Sequence, residues 1–212
     1  MLSAAKRGRF ITFEGGEGGG KSTQARRLAA HLAEQGIPVL LTREPGGSGG
    51  AEAIRAVLLN GQGFDPVAEA MLMFAARREH VVATIRPALE AGMWVVCDRF
   101  ADSTRAYQCH GQGVPGEVYR PLAELALEGL APDLTLILDI APEAGMARAA
   151  SRGVAADRYE RLDAGFHARV RAGFLAIAAA EPGRCAVLDA GRDPDAVFGD
   201  IAKAVTDRLG AA

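Results

Sequence analysis

The chain has 212 residues, of which 49% are hydrophobic and 24% charged, with a formal net charge of -2. That is enough chain to bury a core without disulfides or metals, and the composition is that of an ordinary globular protein rather than a disordered one. Near-neutral charge gives no electrostatic case for a nucleic-acid or anionic-membrane surface. Met1–Arg9 is short, basic and polar, without a signal-peptide core, and no stretch approaches a membrane span of about 18 apolar residues. Cys97, Cys109 and Cys185 are scattered and odd in number, which suits a reducing, cytoplasmic compartment better than a metal or disulfide framework.

In chain order, short apolar runs alternate with helical patterns. Phe10–Glu14, Pro38–Thr42, Trp94–Asp98, Leu134–Ile140 and Cys185–Asp189 read as strands buried on both faces. Between them Gln24–Gln35, Pro66–Ala91 and Gly116–Glu128 carry apolar positions at a period of 3.6. The alternation predicts one domain, an α/β three-layer sandwich with about five parallel strands between helices. Ser151–Asp157 lacks apolar periodicity and is the candidate for an excursion from this frame.

Directly after the first strand stands Gly15-Gly16-Glu17-Gly18-Gly19-Gly20-Lys21-Ser22, followed by Thr23. This is the G-x-x-x-x-G-K-[ST] phosphate cradle. Its glycines let successive N–H groups point at phosphate oxygens, its lysine reaches the outer phosphates, and its serine offers a hydroxyl to Mg²⁺. The third strand ends in Asp98-Arg99. An acidic residue there suits Mg²⁺ or a metal-bound water, and the adjacent Arg can clamp a phosphate bidentately. The cradle therefore predicts a P-loop protein that holds a nucleoside triphosphate.

Beyond that cradle the chain resembles bacterial thymidylate kinases over essentially its whole length. The resemblance rests on Phe13 to Ser22, Thr42 to Gly47, Phe74 to Val81, Asp98 to Gln108, Asp133 to Asp139, and Arg152-Gly153 with Asp157 to Glu160. It implies transfer of the ATP γ-phosphoryl group to dTMP with Mg²⁺, in a homodimer. It further implies that Phe74 stacks on thymine while Arg78, four residues on, bonds a base carbonyl; that Thr104 contacts the base; and that Tyr107 packs against the deoxyribose. Ser103 and Gln108 belong to the same segment. Arg43, Arg99 and the turn Pro45 to Gly47 would hold the acceptor phosphate, with Glu17 near the 3′-hydroxyl and Mg²⁺-bound water. A cis peptide is implied before Pro45.

No Arg lies between Gly16 and Gly19, yet phosphoryl transfer needs added positive charge. By similarity to the family, that charge comes from a lid at about residues 148–160, with Arg152 the first choice, Arg158 the second, and Arg148 a third basic residue. Arg77 departs from the family pattern and is assigned no role. Candidate dimer surfaces are the apolar faces of Pro66–Ala91 and Gly116–Leu130, which could equally be core. A kinase for another acceptor is the nearest alternative. A nucleoside acceptor would want a carboxylate base, whereas the Arg43–Arg99 set suits a monophosphate. A GTP switch would want Asn-Lys-x-Asp, which is absent; the single Asn is Asn60.

Overall fold

The computed structural model describes residues 7–60, 63–151 and 158–210. Among them five strands form one parallel sheet in the order β2-β3-β1-β4-β5. They are β1 (Phe10–Glu14), β2 (Val39–Arg43), β3 (Trp94–Asp98), β4 (Leu134–Asp139) and β5 (Cys185–Asp189). All five residues of β1 are buried, as expected of a strand covered on both sides. Its one hydroxyl does not break the core, because Thr12 Oγ1 lies 2.9 Å from Thr135 Oγ1 of β4.

Helices cover both faces. On one side α1 (Lys21–Glu34) and the C-terminal α9 (Pro194–Leu209) pack Leu28, Leu32, Val197 and Ile201 against Ile11, Phe13, Leu134 and Leu136. On the other, Phe10, Val95 and Cys97 meet Val81, Ile85 and Leu89. Each such side chain, fully buried, contributes roughly 1.5–3 kcal/mol of transfer free energy. A third cluster joins Ile137 to Phe166, Val170, Phe174 and Ile177 of α8 (Ala164–Ala180).

The long apolar pattern from Pro66 is not one uniform helix. It comprises α3 (Pro66–His80), a π-helical stretch at Val81–Ile85, and α4 (Arg86–Glu90). A second π-helical stretch, Arg105–Gly111, follows α5 (Ala101–Thr104). Such i→i+5 segments occur often near functional sites, and the second carries Tyr107 and Gln108. The remaining helices are α2 (Gly49–Asn60), α6 (Gly116–Leu127) and α7 (Pro142–Ala150). Among the described residues no helix is long and apolar enough to cross a membrane. The carboxyl ends of β1, β2 and β3 open on one cleft, the usual ligand position in a doubly wound sheet.

Candidate active site

The phosphate loop leaves β1 at Glu14 and enters α1 at Lys21. Its glycines are held by close approach. A Cβ on Gly15, at φ 129°, would lie 2.4 Å from the Leu138 carbonyl oxygen, and one on Gly18 would lie 1.9 Å from that of Gly145 in α7. Helices α3, α8 and α9 are N-capped by Asp65, Asp163 and Asp193, but α1 begins at Gly20 without a side-chain cap and with no acidic residue in its first turn. Its first N–H groups and positive helix end therefore face the loop, where an anion would satisfy them.

Lys21 is 7% exposed and donates to the Gly16 carbonyl at 2.6 Å. Burial and then the neighbouring Arg99 charge lower its pKa to about 8. The Ser22 hydroxyl donates to Asp98 Oδ2, and Asp98 Oδ1 is buried with no hydrogen-bond partner. A hydroxyl beside a carboxylate oxygen still lacking a partner, next to the phosphate loop, is the hard-oxygen donor set that Mg²⁺ takes, so the residues present fit that ion.

Arg99 follows β3 in the left-handed region, φ 70°. The turn sends its guanidinium back to the loop, where it donates to the Gly15 carbonyl and Ser103 hydroxyl, each at 3.2 Å, and to Glu17 at 2.7 Å. Burial alone would lower its pKa, but the neighbouring carboxylates, Glu17 first, outweigh it and hold Arg99 well above the usual value. Tyr107 donates its hydroxyl to Glu17 at 2.7 Å. Beneath this turn lies Glu14, which sequence reading quoted but gave no role. Fully buried, it accepts from the Phe100 N–H at 2.8 Å and the Ser103 hydroxyl at 2.6 Å. Burial first, and then the Asp102 charge, raise its pKa to about 8.

These groups border one cleft of about 520 Å³. Glu17, Gly18, Gly20, Lys21, Ser22, Thr23 and Asp98 lie at its phosphate-loop end, and Arg43, Pro45, Arg99, Ser103, Thr104, Tyr107 and Gln108 line it further. Gly15, Gly16 and Gly19 belong to the loop but do not line the cleft. Arg43 donates to the Pro45 carbonyl at 2.8 Å, Arg55 does so at 2.7 Å, and the Glu44–Pro45 peptide is cis.

Two expectations need correction. Phe74 and Arg78 are not at the cleft. Phe74 is 2% exposed and packs edge-on against Tyr119, while Arg78 turns outward to Glu128 at 2.8 Å. The pair that faces the cleft is Met73 and Arg77, one residue earlier in the helix. One residue is about 100° of helical rotation, so an i,i+4 pair displaced by one looks onto a different neighbour. Arg77, which had no assigned role, is 3% exposed and donates to Glu44 at 2.6 Å, Thr104 at 3.0 Å and the Phe100 carbonyl at 3.0 Å. Phe74 supports it from behind, its ring 4.9 Å from the guanidinium carbon.

The second correction concerns the lid. Arg158 does not point at the phosphate loop; it pairs with Glu69 of α3, which is wholly buried and also accepts from Tyr159 at 2.7 Å and Gln108 at 2.8 Å. A buried carboxylate attracts whichever cation can reach it, and Arg158 can. Arg148 lines the cleft but donates to the carbonyls of Ala190 and Gly191, at 2.6 and 3.0 Å. Arg152 and the expected excursion after Ser151 lie outside the described residues. Tyr159 is a further cleft residue that sequence reading left without a role.

A phosphate loop on a five-stranded parallel sheet, facing a carboxylate and an arginine at the end of β3, defines a P-loop phosphotransferase. The thymidylate kinase family profile matches residues 13–201. A thymidylate kinase of Caulobacter vibrioides is 55% identical over 205 residues, covering 96% of this chain and 98% of its own. One from Nitrobacter winogradskyi is 51% identical over 209 residues, 96% of this chain and 90% of its own. The crystal structure of thymidylate kinase from Ehrlichia chaffeensis superposes with a TM-score of 0.79 at 36% identity, over 94% of this chain and 99% of that one. The chain belongs to the thymidylate kinase family, whose reaction is phosphoryl transfer from ATP to dTMP, giving dTDP.

Proposed function

We propose that the cleft performs this transfer with the ATP phosphates on the Gly15–Thr23 loop and dTMP between Arg99 and Arg77. The observation that carries the assignment is the polarity of one cleft. Its loop end gathers Lys21, Ser22 and Asp98, and its other end offers Arg77, Thr104 and Gln108 around the apolar Met73 and Leu59. The first set suits a triphosphate, and the second suits a flat heterocycle with carbonyl and N–H edges.

The acceptor oxygen is already anionic, so the residues need to align and neutralise rather than abstract a proton. Lys21 and Arg99 oppose the negative charge of donor and acceptor, and Arg43 and Arg55 flank the acceptor phosphate through the Pro45 turn. Glu17 fixes Arg99 and Tyr107 in one orientation, since both donate to it. Ser22 and Asp98 would hold Mg²⁺, which when bound neutralises charge on the donor phosphates. Arg152 remains the proposed source of lid charge. A reducing cytoplasmic setting is the proposed location, on the scattered, odd count of cysteines in the sequence. A homodimer would use the outward side of α3 and α6, where Met71 and Leu125 are 52% and 76% exposed.

The test is ADP release with Mg-ATP against dTMP, dUMP, UMP, dCMP, dGMP and AMP separately. A strong preference for dTMP is expected. Equal turnover of a purine monophosphate would overturn the base-side assignment while leaving the phosphate loop in place.

A further inference from the structure

Between the two ends of the cleft runs a buried chain of polar groups that neither reaction chemistry nor folding pattern requires. Glu44 divides its two carboxylate oxygens. Oε2 accepts from Arg77 Nε at 2.6 Å and Oε1 from His80 Nδ1 at 2.9 Å. The other ring nitrogen of His80, Nε2, lies 2.8 Å from the Thr42 hydroxyl. His80 is 0% exposed and the Glu44 side chain 2%. With Glu44 accepting, Nδ1 carries the proton, and in the neutral ring Nε2 accepts from Thr42.

The loop that carries the acceptor-side cations is seated on the same imidazole. A Cβ at Gly47, whose φ is 86°, would lie 2.3 Å from His80 Nε2 and 2.5 Å from Thr42 Oγ1. Thr84 donates to the Gly47 carbonyl at 2.9 Å, one helical turn beyond His80. Arg43 and Arg55 are tied to this loop through Pro45. Thus Arg77, at the heterocycle end, and the Thr42–Gly47 turn, at the phosphate end, share one carboxylate. A buried carboxylate held by two donors on opposite oxygens has little freedom to rotate, so each partner constrains the other.

We propose that Glu44 and His80 are positioning residues that lock base recognition and acceptor-phosphate placement into one rigid unit, so that a correctly seated pyrimidine sets the phosphate in line for transfer. The proposal rests on the reading that puts the base at Arg77.

The test exploits two isosteres. In His80→Asn the amide nitrogen occupies the place of Nδ1 and keeps the donor to Glu44. In His80→Gln it occupies the place of Nε2, where it donates to the Thr42 hydroxyl instead of accepting from it, and the contact with Glu44 is lost. Steady-state KM for dTMP and ATP, kcat, and inhibition by thymidine are measured for both variants and for Arg77→Met. His80→Gln is expected to raise KM for dTMP about tenfold, to leave ATP KM and thymidine inhibition within about threefold, and to lower kcat. His80→Asn should stay within about threefold of the unaltered protein throughout. In His80→Gln, then, the phosphate contribution is lost while base binding survives. Equal behaviour of the two His80 variants, or matched losses for dTMP and thymidine, or for dTMP and ATP, would overturn the joint. If Arg77→Met leaves thymidine inhibition unchanged, the base-site reading itself fails. If Arg77→Met weakens thymidine and His80→Gln changes nothing, only the joint fails.

Discussion

The adjacent arginines Arg77 and Arg78 give the sharpest experiment on the site, because they differ in everything but chemistry. Replacing Arg77 with Met keeps most of the volume and removes the charge. The Arg77–Glu44 pair is nearly solvent-free, with side chains 3% and 2% exposed. Breaking a buried pair from one side costs about 3–5 kcal/mol. His80 remains on the other carboxylate oxygen and offsets part of this, so the lower figure applies. In a chain of this length each kcal/mol moves Tm by about 2–4 °C, giving a fall of roughly 6–12 °C. Arg78→Ala removes an outer pair whose side chains are 39% and 55% exposed, where solvent screens the interaction, so Tm should stay close to that of the unaltered protein. In catalysis, loss of a charge-assisted hydrogen bond to the base costs about 1.5–3 kcal/mol, or roughly 10–100-fold in kcat/KM for dTMP. Thermal unfolding and steady-state kinetics on both variants read the two quantities. A larger dTMP defect in Arg78→Ala than in Arg77→Met would refute the assignment of the cleft-facing residue.

Three further outcomes follow from the geometry. Glu14, raised to about 8 in the fold from an unfolded value of 4.5, binds more protons folded than unfolded between those pH values. Its contribution is therefore complete below pH 4.5 and is lost as pH rises through 8; Glu14→Gln, which imitates the protonated acid, should flatten the Tm decline of the parent between pH 5 and 8 by on the order of 5–10 °C. Asp98→Asn should raise the Mg²⁺ concentration for half-maximal rate by roughly 10–100-fold, read from Mg²⁺ titrations at fixed ATP, and an unchanged requirement would remove Asp98 from the metal site. Gly145→Ala places a methyl 2.3 Å from the Glu17 carbonyl, so overpacking of about 1–3 kcal/mol should fall on the phosphate loop and appear as a tenfold or greater loss in kcat/KM for ATP, with normal kinetics counting against that contact.

What could be read in advance depended on whether the signal was local. The strands were legible because each is a short, mostly apolar run, but burial on both faces holds only for the inner strands β1, β3 and β4. The edge strands β2 and β5 leave Leu41 and Val187 exposed, because an edge has a neighbour on one side alone. The phosphate loop was legible because its chemistry fixes residue types at fixed spacing. The cleft-facing side of α3 was not. That helix buries Glu69, Ala70, Met73, Phe74, Arg77 and His80, too wide a band for periodicity to choose between neighbouring i,i+4 pairs. His80 showed no pairing along the sequence because its partners are 36 and 38 residues away. Glu69 and Glu14 were equally silent, since a carboxylate that will be fully buried is written with the same letter as one on the surface. The direction of Arg158 was set by Glu69, again a partner that only the fold supplies.

The bare start of α1 has a consequence for what counts as the finished protein. Helices α3, α8 and α9 close their own first turns with an aspartate written in the chain. On the proposed reading helix α1 would leave that closure to bound phosphates, so the nucleotide would complete a piece of secondary structure as well as undergo a reaction. Amide exchange in the first turn of α1 should slow on nucleotide binding more than in those three helices, so the reaction cycle would be readable at one helix end.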